Sequence, residues 1–238
     1  MLTNLINGDC LVELPKMPDD CVDCVITSPP YNLKGLRGGK NIAVDSITMW
    51  KQCNIPYEDN LTEAQYQEQQ ITLLNELYRV IKPTGSIFYN HKVRRTKAQA
   101  HHPWQWIGKA KTKFYQQIIW DRKSSPNQAL NFLVPSTELI FWLTKDKPKV
   151  FKSKVSIKGE VWSIAPAKEK YKGHPPVFPD LLIEQCINLT TQTNDVVMDC
   201  YMGLGSVGMV CKKMWYRDFV GIELNKEYYE TAKKRLEE

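Results

Sequence analysis

Short apolar runs that alternate with helical stretches restrict this 238-residue chain to very few architectures. Residues 5–7, 22–27, 85–89, 117–120, 139–143, 196–199 and 219–223 read as strands. Residues 62–81, 179–188, 206–214 and 226–236 read as helices. Near-continuous apolar strands separated by helices imply a mostly parallel central sheet covered on both faces, an α/β fold. Lys82-Pro83-Thr84-Gly85 reads as the end of the first long helix, because proline cannot continue it. With no repeat, low-complexity tract or linker, residues 1–238 read as a single domain, and the length suffices for a full core.

In open sheets of this kind ligands bind beyond the carboxyl ends of the strands. Two segments leave a strand for irregular sequence, residues 27–32 and 199–208. Both are expected on one rim of the sheet.

The hydrophobic share of 42% is ordinary for a globular protein, and no apolar run approaches the ~18 residues of a membrane span. Met1-Leu2-Thr3-Asn4 carries no basic stretch followed by an apolar one, so a cytoplasmic protein with no membrane association is expected. Seven cysteines lack a disulfide spacing, and Cys21-Val22-Asp23-Cys24 has no second pair to complete a metal site. They read as core thiols, and no metal is expected. The net charge is +6, concentrated in Arg94, Arg95, Lys97, Lys109, Lys111 and Lys113, and in Lys145, Lys147, Lys149, Lys152, Lys154 and Lys158. Solvated faces and a polyanionic partner explain such clusters equally well.

The strand ending at Asp199 runs straight into Cys200-Tyr201-Met202-Gly203-Leu204-Gly205-Ser206-Val207-Gly208. Gly203 and Gly205 permit a tight turn with backbone close to a ligand, and Gly208 lets the next helix approach the sheet. Glu223 ends the following strand, where a carboxylate can accept from two ribose hydroxyls. A nicotinamide dehydrogenase shares this geometry. However, Asp199 at the mouth of the loop repels a diphosphate and attracts an ammonium group, and no second nucleotide-binding half follows.

The other rim segment is Thr27-Ser28-Pro29-Pro30-Tyr31-Asn32. Two prolines remove two backbone donors and leave carbonyls that only accept. The Ser28 hydroxyl and the Pro29 carbonyl can together take both protons of an amino group, freeing its lone pair from conjugation. Tyr31 offers a ring on which an extruded base can stack.

At these residues the chain resembles the amino-group DNA methyltransferases, in the β-type order where the catalytic motif precedes the cofactor loop. Gly8-Asp9-Cys10, Ser28-Pro29-Pro30-Tyr31, the stretch from Arg79 to Ser86, Ile119-Trp120-Asp121-Arg122, His174-Pro175-Pro176-Val177-Phe178-Pro179, the glycine loop and Val220-Gly221-Ile222-Glu223 occur in the family's order. The resemblance implies an S-adenosylmethionine-dependent methyltransferase (Rossmann-like) fold and S-adenosyl-L-methionine as cofactor. Asp9 and Cys10 would line the adenine pocket. Asp199 with Tyr201, Met202, Gly203 and Gly205 would hold the methionine part near Phe178, and Glu223 with Leu224 the ribose. Ser28, Pro29, Pro30 and Tyr31 would hold the target base. Where the family often has Asp-Pro-Phe-Met-Gly-Ser-Gly-Thr, this chain keeps Asp199 and both glycines but places Leu204 between them. That side chain must turn away from the ligand or narrow the site.

The resemblance places a small target-recognition region at about residues 145–173, where Lys147, Lys152 and Lys154 would meet double-stranded DNA beside Phe151, Trp162 and Tyr171. Lys34 and Arg37, in a segment 33–60 that could close over the base, are further phosphate contacts. A homodimer and a cognate restriction endonuclease are the other partners it suggests. Serine before Pro-Pro-Tyr leans toward cytosine N4. Adenine N6 is the main alternative; RNA or protein-glutamine methylation and an inactive DNA-binding relative are further ones.

Overall fold

The structure, a computed structural model, describes residues 2–32, 60–95, 99–123, 133–167, 177–214 and 217–238. The first elements are β1 (Thr3–Asn7), the one-turn helix α1 (Cys10–Glu13), β2 (Val22–Thr27), α2 (Glu63–Val80), β3 (Ile81–His91), the short strands β4 (Arg94–Arg95) and β5 (Ala100–His101), and α3 (Trp104–Ile107). They are followed by β6 (Lys113–Asp121), β7 (Thr137–Thr144), β8 (Val161–Ser163), α4 (Asp180–Thr190), β9 (Val196–Asp199), α5 (Ser206–Lys213), β10 (Asp218–Glu223) and α6 (Lys226–Glu237).

Eight strands form one sheet in the order β1-β10-β9-β2-β3-β7-β6-β8. β7 runs against both its neighbours, and every other pairing in that sheet is parallel. The expected mostly parallel sheet is therefore present. All six residues of β2 are buried, because β2 lies mid-sheet with helices on both faces. Cys24 and Ile26 face one layer, with Ile183, Ile187, Val207, Val210, Ala232 and Leu236 of α4, α5 and α6. Val25 faces the other, with Leu73, Leu74, Leu77 and Trp106 of α2 and α3. No helix among the described residues is long and apolar enough to cross a membrane.

α2 begins at a reciprocal cap: Thr62 Oγ1 accepts from Gln65 N, and Gln65 Oε1 accepts from Thr62 N. It stops at Val80, and here the sequence reading needs correction. Residues 82–85 do not close the helix but belong to β3, where the register with β2 jumps from Val22↔Ile81 to Cys24↔Ser86. Pro83 sits in this unpaired stretch, where its missing donor costs no ladder bond. Asp23 stands opposite the bulge and accepts from Lys82 Nζ (2.7 Å) and Val196 N (3.0 Å). Strands β4, β5 and β8 carry two or three residues each, too few to leave a periodic signal.

From β9 the chain proceeds to β10 on one side, and from β2 it proceeds to β3 on the other. The strand order thus reverses between β9 and β2, and their carboxyl ends open the ligand crevice. Close packing of α5 behind the loop depends on Gly208, whose added Cβ would lie 2.6 Å from the buried Phe219 ring. Gly208→Ala gains up to about 1 kcal/mol of helix propensity but overpacks a site that cannot give, at a cost of about 1–3 kcal/mol. The net expectation is a melting temperature lower by several degrees, measured by thermal denaturation.

Candidate active site

The two rim segments meet directly. Thr27 Oγ1 donates to Asp199 Oδ1 at 2.9 Å, and Tyr201 N donates to the same oxygen at 3.0 Å. Asp199 is only 4% exposed, and burial pushes its carboxyl up to about 7. Such a group is held short of its natural charge by lack of solvent, and an arriving cation restores it. Gly203 and Gly205 take φ of 54° and 79°, left-handed conformations that suit glycine. Gly203 N donates to Glu223 Oε2 (2.7 Å) and Asn225 N to Glu223 Oε1 (2.8 Å), fixing a carboxylate that retains lone pairs for further donors.

Gly8 N donates to the Glu223 carbonyl (3.0 Å), which draws Asp9 and Cys10 to the same rim. Asp9 caps α1 by accepting from Leu11 N, and Cys10 is buried in the same cluster as Cys200, with Tyr201 packed against it. Met202 contributes backbone only: its side chain is buried, with sulfur so close that a Cβ on Gly221 would lie 2.2 Å away. Leu204 is buried and its carbonyl accepts from Arg235, so this departure from the family pattern is absorbed by the protein interior. Leu224 is 44% exposed just beyond Glu223. Phe178 packs against the core and lies 6.3 Å from the Trp120 ring, immediately before α4. These groups fit a ligand with an ammonium at one end and a vicinal diol further along. Asp199 meets the first and Glu223 the second.

Beside the loop, Ser28, Pro29, Pro30 and Tyr31 leave the end of β2. Tyr66 of α2 donates to the Pro30 carbonyl at 2.7 Å. The Tyr66 hydroxyl also lies 2.7 Å from His91 Nε2. His91 Nδ1 lies 2.9 Å from Lys92 N and 2.8 Å from the Lys92 carbonyl, and burial holds the ring's pKa well below its ordinary value, hence neutral. The His91 ring also packs 4.5 Å from that of Tyr31. The Pro-Pro turn is thus clamped from behind, and it offers Ser28 Oγ and the Pro29 carbonyl as acceptors.

Tyr31 and Ser28 join a second network. Ser28 Oγ lies 2.9 Å from the Tyr31 hydroxyl, and Tyr31 donates to Glu138 Oε2 at 3.1 Å. Asn90 Nδ2 bonds to Tyr31 (2.6 Å) and Glu138 (2.9 Å), and Arg122 Nη1 to Glu138 Oε1 (2.8 Å). Burial, and next the Glu138 charge, push the Tyr31 phenol well above its ordinary value.

The lysines are placed differently from the resemblance. β7 ends at Thr144, paired with Ser86, and Asn90 lies four residues further up β3, about 13 Å at the strand rise. Asp146 N then donates to the Pro83 carbonyl and Phe151 N to the Leu189 carbonyl, so Lys147, Lys152 and Lys154 stand at the foot of the sheet, opposite the rim. Lys145 bonds to Asp20, and Lys149 pairs with Asp23 and Asp195, which makes them internal ties. Trp162 is buried in the core instead of facing a groove. Arg94 is 1% exposed, paired with Glu63 at 2.7 Å and lying over Tyr66, so it leaves the first basic cluster. Lys34, Arg37 and residues 168–173 lie outside the described residues.

Sequence reasoning placed Thr27 and Arg122 within motifs without giving either a role, and did not select Tyr66, Asn90, His91 or Glu138. These last sit in ordinary strand and helix contexts, and only folding gathers them.

The chain matches the model of a family described as DNA methylase over residues 22–234. It is 26% identical to the type II methyltransferase M.BglII of Bacillus subtilis, covering 97% of this chain and 68% of that one. The PvuII DNA methyltransferase (cytosine-N4-specific) superposes with a TM-score of 0.78 at 20% identity, over 99% of this chain and 86% of that one. The putative DNA modification methylase TTHA0409 of Thermus thermophilus, in complex with S-adenosyl-L-methionine, gives 0.69 at 19% identity, over 99% and 95%.

Proposed function

Because this chain belongs to the N6/N4 DNA methylase family, we propose that it transfers a methyl group from S-adenosylmethionine to N4 of a cytosine extruded from double-stranded DNA. The observation that carries this reading is the Thr27–Asp199 hydrogen bond at 2.9 Å. It joins an acceptor for an amino group, Ser28, to a carboxylate that calls for an ammonium, Asp199, on one rim.

When bound, S-adenosylmethionine supplies an electrophilic methyl group on a sulfonium. Asp199 would ionise against the ligand's ammonium, Glu223 would accept from the ribose hydroxyls, and Asp9 and Cys10 would line the pocket for its adenine. Ser28 Oγ and the Pro29 carbonyl accept the two amino protons of the target base and draw its lone pair out of conjugation. The Tyr66–Pro30 bond keeps the turn from relaxing while they do so. Tyr31 flanks the extruded base. Ser28, rather than aspartate, is the form that leans toward cytosine in this family.

The test is incubation of DNA with the protein and isotopically labelled cofactor, followed by mass spectrometry of the nucleosides. N4-methylcytosine is expected. N6-methyladenine would replace the base assignment, and the absence of any methylated nucleoside would overturn the reading.

A further inference from the structure

We infer that Glu138 is the terminal proton acceptor of the reaction, reached from the target amino group through Ser28 and Tyr31. This rests on the function proposed above and deepens it. Three neighbouring strands bring the parts together: Asn90 lies in β3 and Glu138 in β7, while Arg122 directly follows β6. Glu138 is 8% exposed, a carboxylate held at the rim by donors on each side.

Counting protons fixes the direction of the chain. Glu138 can only accept, so the Tyr31 hydrogen points to Oε2 (3.1 Å). The Ser28–Tyr31 contact of 2.9 Å must then have Ser28 donating. Asn90 Nδ2 is a donor group, so its bonds to Tyr31 and Glu138 reinforce this order. The Ser28 hydrogen is therefore turned toward Tyr31; one Ser28 lone pair meets Asn90 Nδ2 at 3.5 Å, and the other is left for an incoming N–H. Arg122 occupies the other Glu138 oxygen, so Oε2 is the one presented to the chain.

The step balances. The amino nitrogen uses its lone pair to take the methyl carbon, and the carbon–sulfur bonding pair stays with sulfur. The nitrogen, now cationic and strongly acidic, gives one proton to Ser28 Oγ. Ser28 passes its own hydrogen to Tyr31, and Tyr31 passes its own to Glu138 Oε2. The products are a neutral methylamino base, a neutral thioether and a protonated Glu138 that later releases its proton to solvent. Before the transfer, the Glu138 charge polarises the chain, so Ser28 accepts more strongly as positive charge grows on the nitrogen. Glu138 touches no substrate atom and is a positioning residue.

The experiment compares wild type with Glu138→Gln, Tyr31→Phe and the double variant, measuring kcat and KM for DNA and Kd for S-adenosylmethionine. The amide retains an oxygen for Arg122 but cannot take a proton. For Glu138→Gln we expect kcat lower by about a hundredfold, with KM and Kd within threefold of wild type. The double variant should be no slower than the worse single variant, because both break one path. A Glu138→Gln kcat within twofold of wild type, a change confined to KM, or fully multiplicative losses in the double variant would each overturn the relay while leaving the methyltransferase reading intact. Wild-type protein that methylates no DNA would overturn both.

Discussion

Replacing Asp199 with Asn is expected to weaken cofactor binding by about one to two orders of magnitude and, at the same time, to make the free protein more stable above pH 7. Both effects come from one buried carboxyl pushed up to about 7. In the unfolded chain this group ionises in the ordinary carboxylate range. The stability it contributes is therefore fully present at low pH and is lost as pH rises from about 4 through 7. The amide has no charge to desolvate, and its oxygen can keep the bonds from Thr27 and Tyr201 that Oδ1 now accepts. Melting temperatures should accordingly match below about pH 4 and diverge in favour of the variant as pH rises, with the full gap reached by pH 8. Calorimetric titration with S-adenosylmethionine should show affinity lower by one to two orders of magnitude, the worth of a charge-assisted bond of roughly 1.5–3 kcal/mol. In the wild type, binding should weaken below pH 7 by up to about tenfold per pH unit, because the carboxyl must ionise to receive an ammonium. Unchanged affinity in the variant would remove Asp199 from the cofactor site.

Ser28→Ala carries the second large effect. The methyl side chain can neither accept from the target amino group nor feed the Tyr31 hydroxyl. Removing one preorganised polar group from a reacting centre costs on the order of 10²–10³ in kcat. None of the bonds of Asp199 or Glu223 described above involves Ser28, so the Kd for S-adenosylmethionine should stay within twofold. Single-turnover methylation of DNA with labelled cofactor checks the first point and calorimetry the second. Full activity in the variant would transfer the acceptor role wholly to the Pro29 carbonyl.

Much of the molecule was legible before folding was considered. Residues 22–27 and 196–199 are strands with the boundaries their apolar runs indicate, because mid-sheet strands must be apolar on both faces. The rim shared by Ser28 and Asp199 followed from the rule that ligands sit beyond strand ends, and the Thr27–Asp199 bond realises it. Legibility failed where a residue's meaning depends on its distance from the ends of an element. Pro83 looked like a helix stop, yet α2 had already ended at Val80 and Pro83 lies in a bulge of β3. Lys147, Lys152 and Lys154 formed a basic strip in one dimension, but the antiparallel course of β7 delivers them to the foot of the sheet. One reversed strand decides which end of the molecule a following loop occupies, and the sequence of that loop carries no mark of it.

The sequence by itself thus determined the sheet, the glycine turn and the two rim motifs. These depend on local requirements: apolar runs, left-handed glycines and prolines without donors act within a few residues of where they stand. Only the tertiary structure decided what surrounds the reacting groups. Glu138 and Ser28 are 110 residues apart in the chain and share a network through Tyr31. Tyr66 and His91 clamp Pro30 from a helix and a strand that no local pattern ties to it. Their partnership is set by strand order and register, which emerge when the whole sheet buries its apolar faces. A burial pattern names the residues that go inside, whereas the hydrogen-bond partners of a rim are fixed by which strands lie side by side.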